Sequence, residues 1–218
     1  MPSPRNGITV VKLGGSHAGS PHLRRWLEAI AAEAGAIVVV PGGGPFADAV
    51  RQAQALIGFD DVAAHEMAMM AMAQFGRALQ SLNPAFRPAR SLAAIRRALK
   101  EGKVPVWIPE RMARAARLPE TWELTSDSLA AWLADRLRAG RLVLVKHGRY
   151  PDRVDVQDLA ERGVVDPLFP CSIGSKGFRV LLAGPGDGAR FADGLRGGKF
   201  PEIVPAREAV RYRAPAAE

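Results

Sequence analysis

The sequence predicts an α/β protein, a three-layer α/β/α sandwich around a mainly parallel central sheet. Three observations carry that prediction. Short β-branched runs, Ile8-Thr9-Val10-Val11, Ile37-Val38-Val39-Val40 and Leu142-Val143-Leu144-Val145, are apolar without alternation, as strands buried on both faces are. Helical patterns separate these runs, the alternation that builds a parallel sheet. The first two runs each end in a glycine cluster, Lys12-Leu13-Gly14-Gly15-Ser16 and Pro41-Gly42-Gly43-Gly44-Pro45, followed by a helical pattern.

In order along the chain, a strand is expected over 8–13. His22 to Ala34 carries Leu23, Trp26, Leu27 and Ile30 at helical spacing, with Ser20 as N-cap and Pro21 in the first helical position. A second strand spans 36–41, a helix runs from Pro45 to Gln54, and a longer helix rich in alanine and methionine runs from Asp61 to Leu82. Met67, Met69, Met70 and Met72 give that helix a flexible packing face. The basic segment Arg87-Pro88-Ala89-Arg90 is read as helical, and a short helix follows over Ser91 to Glu101. Val104 to Ile108 forms the third strand, and a polar connection with Arg111, Arg114 and Arg117 leads to a helix from Thr125 to Arg138 that opens on capping residues. Leu142–Val145 is the fourth strand; Val164-Val165-Asp166 and Phe178 to Leu182 are weaker candidates. Arg213 to Glu218 reads as a frayed end.

Composition narrows the class. A chain of 218 residues with 48% hydrophobic and 24% charged residues is expected to form one globular domain over 1–218, soluble and cytoplasmic, because no apolar run reaches the ~20 residues of a membrane span and no secretory leader appears. The single cysteine, Cys171, excludes an internal disulfide and a cysteine-based zinc cluster. The four histidines, His17, His22, His65 and His147, lack zinc-ligand spacing, and no Gly-x-Ser-x-Gly elbow marks a hydrolase. The net charge of +8 fits an anionic small substrate; without interleaved aromatics the arginines do not read as a nucleic-acid surface, and neither nucleic acid nor membrane is expected as a partner.

A strand that ends in a glycine turn and opens a helix presents free backbone N–H groups and the positive end of a helix dipole, a seat for phosphate. Neither cluster has the spacing of a P-loop or of a dinucleotide fingerprint. One such turn alone is equally a tight connection needing a positive φ; two, with Lys12 inside the first, point to transfer of phosphate from one seat to the other. Asp48 and Arg51, three residues apart just after the second turn, share a helix face. They form either a surface ion pair or an acceptor pocket in which the carboxylate takes an ammonium and the guanidinium a phosphate.

The clusters Lys12–Ser16 and Pro41–Gly44, then Thr125-Ser126-Asp127-Ser128-Leu129-Ala130-Ala131 and Leu142–Lys146, resemble the amino acid kinase superfamily in order and spacing, over residues 8 to about 185. The stretch Pro41 to Arg51, with Ala64-His65-Glu66-Met67-Ala68 and Ala73-Gln74-Phe75-Gly76, looks most like its methanofuran-biosynthesis branch, which phosphorylates an aminomethylfuran methyl phosphate to the diphosphate with ATP and Mg2+. What the resemblance implies is an amino acid kinase fold, with the acceptor side over roughly 41–120 and the nucleotide side over roughly 121–212, in a homo-oligomer. Lys12 and Asp127 are then catalytic: the lysine bridges the donor phosphates, and the aspartate orients lysines and helps organise magnesium, a role that coexists with that of a first-turn acid. Gly14, Gly15, Ser16, Ser126, Lys146 and Gly148 would bind the nucleotide, and Gly42, Gly43, Gly44, Asp48, Arg51, His65 and Gln74 the acceptor. The step Lys146-His147-Gly148-Arg149 departs from the acidic step common at that point in the family. Rival readings are a uridylate or isopentenyl phosphate kinase, and a non-catalytic oxyanion- or nucleotide-binding storage protein of the same fold.

Overall fold

The computed structural model describes residues 7–174, 177–197 and 200–205. The expected frayed end, Arg213 to Glu218, lies outside them. The strands are β1 (Thr9–Leu13), β2 (Ile37–Pro41), β3 (Phe86–Ala89), β4 (Val104–Trp107), β5 (Arg141–Val145), β6 (Arg153–Asp155), β7 (Arg179–Ala183) and β8 (Glu202–Val204). The helices are α1 (Leu23–Ala32), α2 (Gly44–Ile57), α3 (Asp61–Leu82), α4 (Leu92–Lys100), α5 (Glu110–Ala115), α6 (Ser126–Leu137), α7 (Val156–Glu161), α8 (Phe169–Ile173) and α9 (Phe191–Leu195). The strands form one sheet in the order β3-β4-β2-β1-β5-β7-β8-β6, parallel throughout except where β7 meets β8. The three-layer α/β/α arrangement follows.

The sheet alternation decides which way each functional side chain points. Val11, Leu13, Ile37, Val39, Val143 and Val145 pack on one face with Trp26, Leu27 and Ile30 of α1. Val10, Val38, Val40, Leu142 and Leu144 pack on the other with Leu129, Ala130 and Leu133 of α6. Lys12 shares the period-2 face of Val10, so β1 sends its lysine toward α6. β1 lies between β2 and β5, with Leu13 opposite Pro41 on one side and Val145 on the other. The chain therefore ends three adjacent strands at one level, and each exit carries a predicted site segment. Such a point, where strand order departs in both directions, is where open α/β sheets bind ligands.

Several local expectations need correction. Arg87-Pro88-Ala89 is not helical but lies in β3, an edge strand paired only with β4, where proline costs no ladder hydrogen bond. The polar connection holds α5, and Val164-Val165-Asp166 is a loop, with the short strand β6 formed upstream of it. Ser20-Pro21 makes a turn before α1 rather than its cap: the Ser20 hydroxyl accepts from the His22 amide at 3.2 Å, and His22 is the N-cap. The methionine face divides, with Met69 and Met72 buried and Met67 and Met70 exposed.

Candidate active site

The two glycine turns touch. A Cβ on Gly15 would stand 2.0 Å from the Gly44 amide nitrogen and 2.3 Å from its Cα, and one on Gly42 would stand 2.4 Å from the Gly15 nitrogen. No side chain of any size fits between them. These glycines are thus required by backbone contact before any ligand is considered, while Gly44 also needs its positive φ of 58° to start α2. The Gly42 amide is spent on the Leu13 carbonyl at 2.9 Å, which fastens the second turn to the end of β1. Among the described residues the Gly43 and Gly44 amides carry no such bond, and they stand at the N-terminus of the fourteen-residue α2.

Over this floor lies a cavity of about 440 Å³ lined by Lys12, Gly14, Gly15, Ser16, Gly42, Gly43, Gly44, Asp48, Arg51, His65, Ser126, Asp127 and Lys146. Thirteen residues expected from sequence to form the site are therefore brought together. Two are not. Gln74 is exposed on α3 and does not line the cavity, because it sits on the solvent side of a helix whose buried face is set by Phe75 and Leu79. Gly148 occupies an exposed turn with φ of 118°, packed beside the Tyr150 ring rather than on the cavity.

Asp127 is the centre of charge. The N-terminus of α6 carries it, 3% exposed, between Lys12 Nζ at 3.0 Å from Oδ1 and Lys146 Nζ at 2.7 Å from Oδ2. Burial pushes the Asp127 carboxyl up, but the two ammonium groups outweigh it and hold it below the usual carboxylate value. Burial in turn lowers the Lys146 ammonium, opposed by Asp127. Each Asp127 oxygen faces an ammonium, Lys12 on one side and Lys146 on the other, so the carboxylate orients both lysines. Among the described residues no group of three or more His, Cys, Asp or Glu side chains gathers to hold a metal.

Sequence reasoning missed Asp166. It lies 6% exposed in the loop before α8, lines the cavity, and caps α6 from outside: Oδ2 accepts from the Thr125 amide at 3.0 Å, the Thr125 hydroxyl at 2.9 Å and the Ser128 amide at 3.0 Å. The Ser128 hydroxyl donates to its other oxygen. Thr125, in the N-cap position, makes no side-chain cap of its own. Burial and the nearby Asp127 raise the Asp166 carboxyl. Its only local signal was Asp166-Pro167, a turn pair read as a strand end. Trp122, in the connection from α5 to α6, also lines the cavity and was not singled out.

His17 is fully buried under the first turn, with Nε2 donating to the Val145 carbonyl at 3.3 Å and its ring stacked on His147 at 4.4 Å between centroids. Burial and the neighbouring His147 hold its pKa down at about 4, so the ring is neutral at pH 7. It props the end of β5 from which Lys146 projects.

Among the described residues no helix is long and apolar enough to cross a membrane. The amino acid kinase family model matches residues 7–148. Over 174 residues, 74% of this chain and 80% of the relative, the chain is 22% identical to the [5-(aminomethyl)furan-3-yl]methyl phosphate kinase of Methanocaldococcus jannaschii. The fold is similar to uridylate kinase from Archaeoglobus fulgidus, with a TM-score of 0.69 and 20% identity over 90% of this chain and 100% of that one. It is likewise similar to UMP kinase from Ureaplasma parvum, at 0.68 and 16% over 91% and 99%. Two opposed glycine turns, with a buried carboxylate spanning two lysines above them, thus sit on a matching fold and under a matching family model, and the chain belongs to the amino acid kinase family.

Proposed function

We propose that the chain is an ATP-dependent kinase acting on a small phosphate monoester, with aminomethylfuran methyl phosphate as the acceptor and its diphosphate as the product. The observation that supports this most is the Lys12–Asp127–Lys146 triad above the paired turns. Phosphoryl transfer asks a protein mainly to align donor and acceptor and to neutralise developing charge. In this reading the Gly14–Ser16 turn and Lys146 take the phosphates of ATP, and Gly43 and Gly44 with Arg51 take the acceptor's phosphate. An acceptor oxygen attacks the γ-phosphorus, the bond from that phosphorus to the bridging oxygen breaks, and ADP leaves. Lys12 stands where charge builds on the transferring group. Asp127 keeps both lysine nitrogens fixed in place so that nothing has to reorganise during transfer. Magnesium, when bound, would be held through the ATP phosphates with Asp127 helping to organise it, and would neutralise charge on those phosphates.

The acceptor assignment rests on the similarity to the archaeal furan phosphate kinase and on Asp48 beside Arg51, a carboxylate for the aminomethyl group next to a guanidinium for phosphate. We place the enzyme in the cytoplasm, with residues 41–120 on the acceptor side and 121–212 on the nucleotide side. We also infer a homo-oligomer, supported by Leu56 and Ile57 at the end of α2, which stand 86% and 75% exposed.

The test is ADP release with ATP and magnesium across a panel of aminomethylfuran methyl phosphate, isopentenyl phosphate, uridylate, glutamate and acetylglutamate. Turnover with the furan phosphate, lost in Lys12→Ala while the fold persists, is the expected result. Tight nucleotide binding without acceptor-dependent ADP release would overturn the kinase reading and leave a binding protein.

A further inference from the structure

The geometry points to Trp122 as the positioning residue for the acceptor's phosphate: it holds the Arg51 guanidinium flat at the cavity wall with N–H donors left over for the ligand. The inference rests on the reading of the acceptor as a phosphate monoester. Trp122 belongs to neither glycine turn and to no helix; it sits in the connection between α5 and α6. Two elements nevertheless fix it. Its Nε1 donates to Gln54 Oε1 at 2.7 Å, and Gln54 itself donates to Asp61 Oδ1 at 2.8 Å and to the Phe59 carbonyl at 3.3 Å, which anchors the indole to the α2–α3 junction. One residue earlier, the Thr121 carbonyl accepts from His65 Nδ1 of α3 at 3.3 Å.

Against this anchored ring lies Arg51, its guanidinium carbon 4.4 Å from the indole centroid. Arg51 Nη1 donates to Asp48 Oδ1 at 3.1 Å. A guanidinium has five N–H donors in a rigid plane. Stacking occupies its face and Asp48 one donor, so most of its edge stays available where Arg51 meets the cavity. The side chain is otherwise about half exposed, and a free arginine there would lose most of its rotamer freedom on gripping a ligand. The stack removes that cost beforehand. An indole also tolerates the guanidinium without competing for its donors, which a second carboxylate would not.

The same short segment ends at the helix that carries Asp127, with Trp122 three residues before the N-cap Thr125. The acceptor seat and the catalytic carboxylate are thereby joined by a few residues of main chain. This gives His65 a place as well: it holds the connection and leaves contact with the acceptor to Arg51.

The experiment compares dissociation constants for aminomethylfuran methyl phosphate and for the corresponding unphosphorylated alcohol, by calorimetry, in the wild type and in Arg51→Ala, Trp122→Ala, Trp122→Phe and Gln54→Leu. The ratio of the two constants isolates what the phosphate contributes. Arg51→Ala should cut that ratio about tenfold or more. Trp122→Ala should cut it about fivefold, the worth of a partly exposed cation–π stack. Trp122→Phe, which keeps an aromatic face, should retain most of it, and ATP affinity should not move. In turnover, Trp122→Ala should raise the acceptor KM and leave kcat within about twofold. An unchanged ratio in a folded Trp122→Ala overturns the inference while the kinase reading stands; where that variant does not fold, an unchanged ratio in Gln54→Leu does the same. A wild type that binds both probes equally, or neither, overturns the inference and the acceptor assignment together, whereas ADP release with another acceptor would still uphold a kinase.

Discussion

Asp127→Asn replaces the one negative charge between two buried ammonium groups with a neutral amide of the same shape. In the native chain each carboxylate oxygen lies 3.0 Å or less from a lysine nitrogen, and Asp127 itself is 3% exposed. Removing one partner of a buried ion pair costs about 3–5 kcal/mol because the other charge is left uncompensated. For a chain of this size each kcal/mol moves Tm by about 2–4 °C, so the variant should melt roughly 6–20 °C lower at pH 7. Lys146 offers an escape: burial already lowers its pKa and Asp127 opposes that shift, so without the carboxylate it releases its proton more readily. The unfolded state then binds more protons than the folded one below the unfolded lysine pKa, and stability rises with pH. The Tm deficit should therefore shrink between pH 7 and pH 9. Phosphate ligands bring back the missing negative charge, so ATP affinity should be retained or improved while turnover falls at least a thousandfold. Thermal melts across pH, nucleotide titration and coupled ADP release together check the account. A Tm within 2 °C of wild type at pH 7, or turnover within about threefold, would refute it.

Gly15→Ala places a Cβ 2.0 Å from the Gly44 nitrogen where ordinary contact begins at 3.4 Å, so the turns must part by at least 1.4 Å. A displacement of that size should cost about a hundredfold or more in kcat with a measurable drop in Tm; a variant with wild-type kinetics contradicts the contact. His17 has a folded pKa of about 4 against 6.5 unfolded, so the unfolded state alone takes up its proton between those values and stability falls as pH drops through that window, by about 3 kcal/mol in all. His17→Phe should flatten that part of the Tm-versus-pH curve relative to wild type. Asp166→Ala frees the Thr125 and Ser128 amides at the start of α6; we expect Tm to fall by roughly 2–8 °C and kcat to fall at least tenfold with KM for ATP little changed. Equal kcat would limit Asp166 to stability.

What was legible in the sequence was what repeats locally. The β-branched runs gave β1, β2 and β5, the turns at their ends placed Lys12, Gly14–Ser16 and Gly42–Gly44 together, and the Asp61–Leu82 helix appears with the bounds its pattern implied. β3 escaped because Arg87 and Pro88 are strand residues only at an edge. Gln74 was misassigned because membership of a helix near the cavity does not fix which face a residue shows. Asp166 and Trp122 were beyond local reading: the first acts on residues about forty positions away, and the second matters through Gln54 and Arg51, which no spacing rule connects to it.

The main-chain contact between Gly15 and Gly44 acts as a ruler. Because backbone rather than side chains sets the gap between the two turns, the phosphate seats of the proposed reaction, point substitution can break that gap but can hardly tune it. On the proposed reading, a change of acceptor has to come through the walls, at positions on α2 and in the segment carrying Trp122 that stand off the floor. Libraries aimed at new acceptors should accordingly randomise positions such as 48, 51 and 122 and leave the turns alone. An acceptor whose reacting oxygen stands at a different height above its own anchoring phosphate should then stay out of reach of any such library, however well its remaining atoms are accommodated.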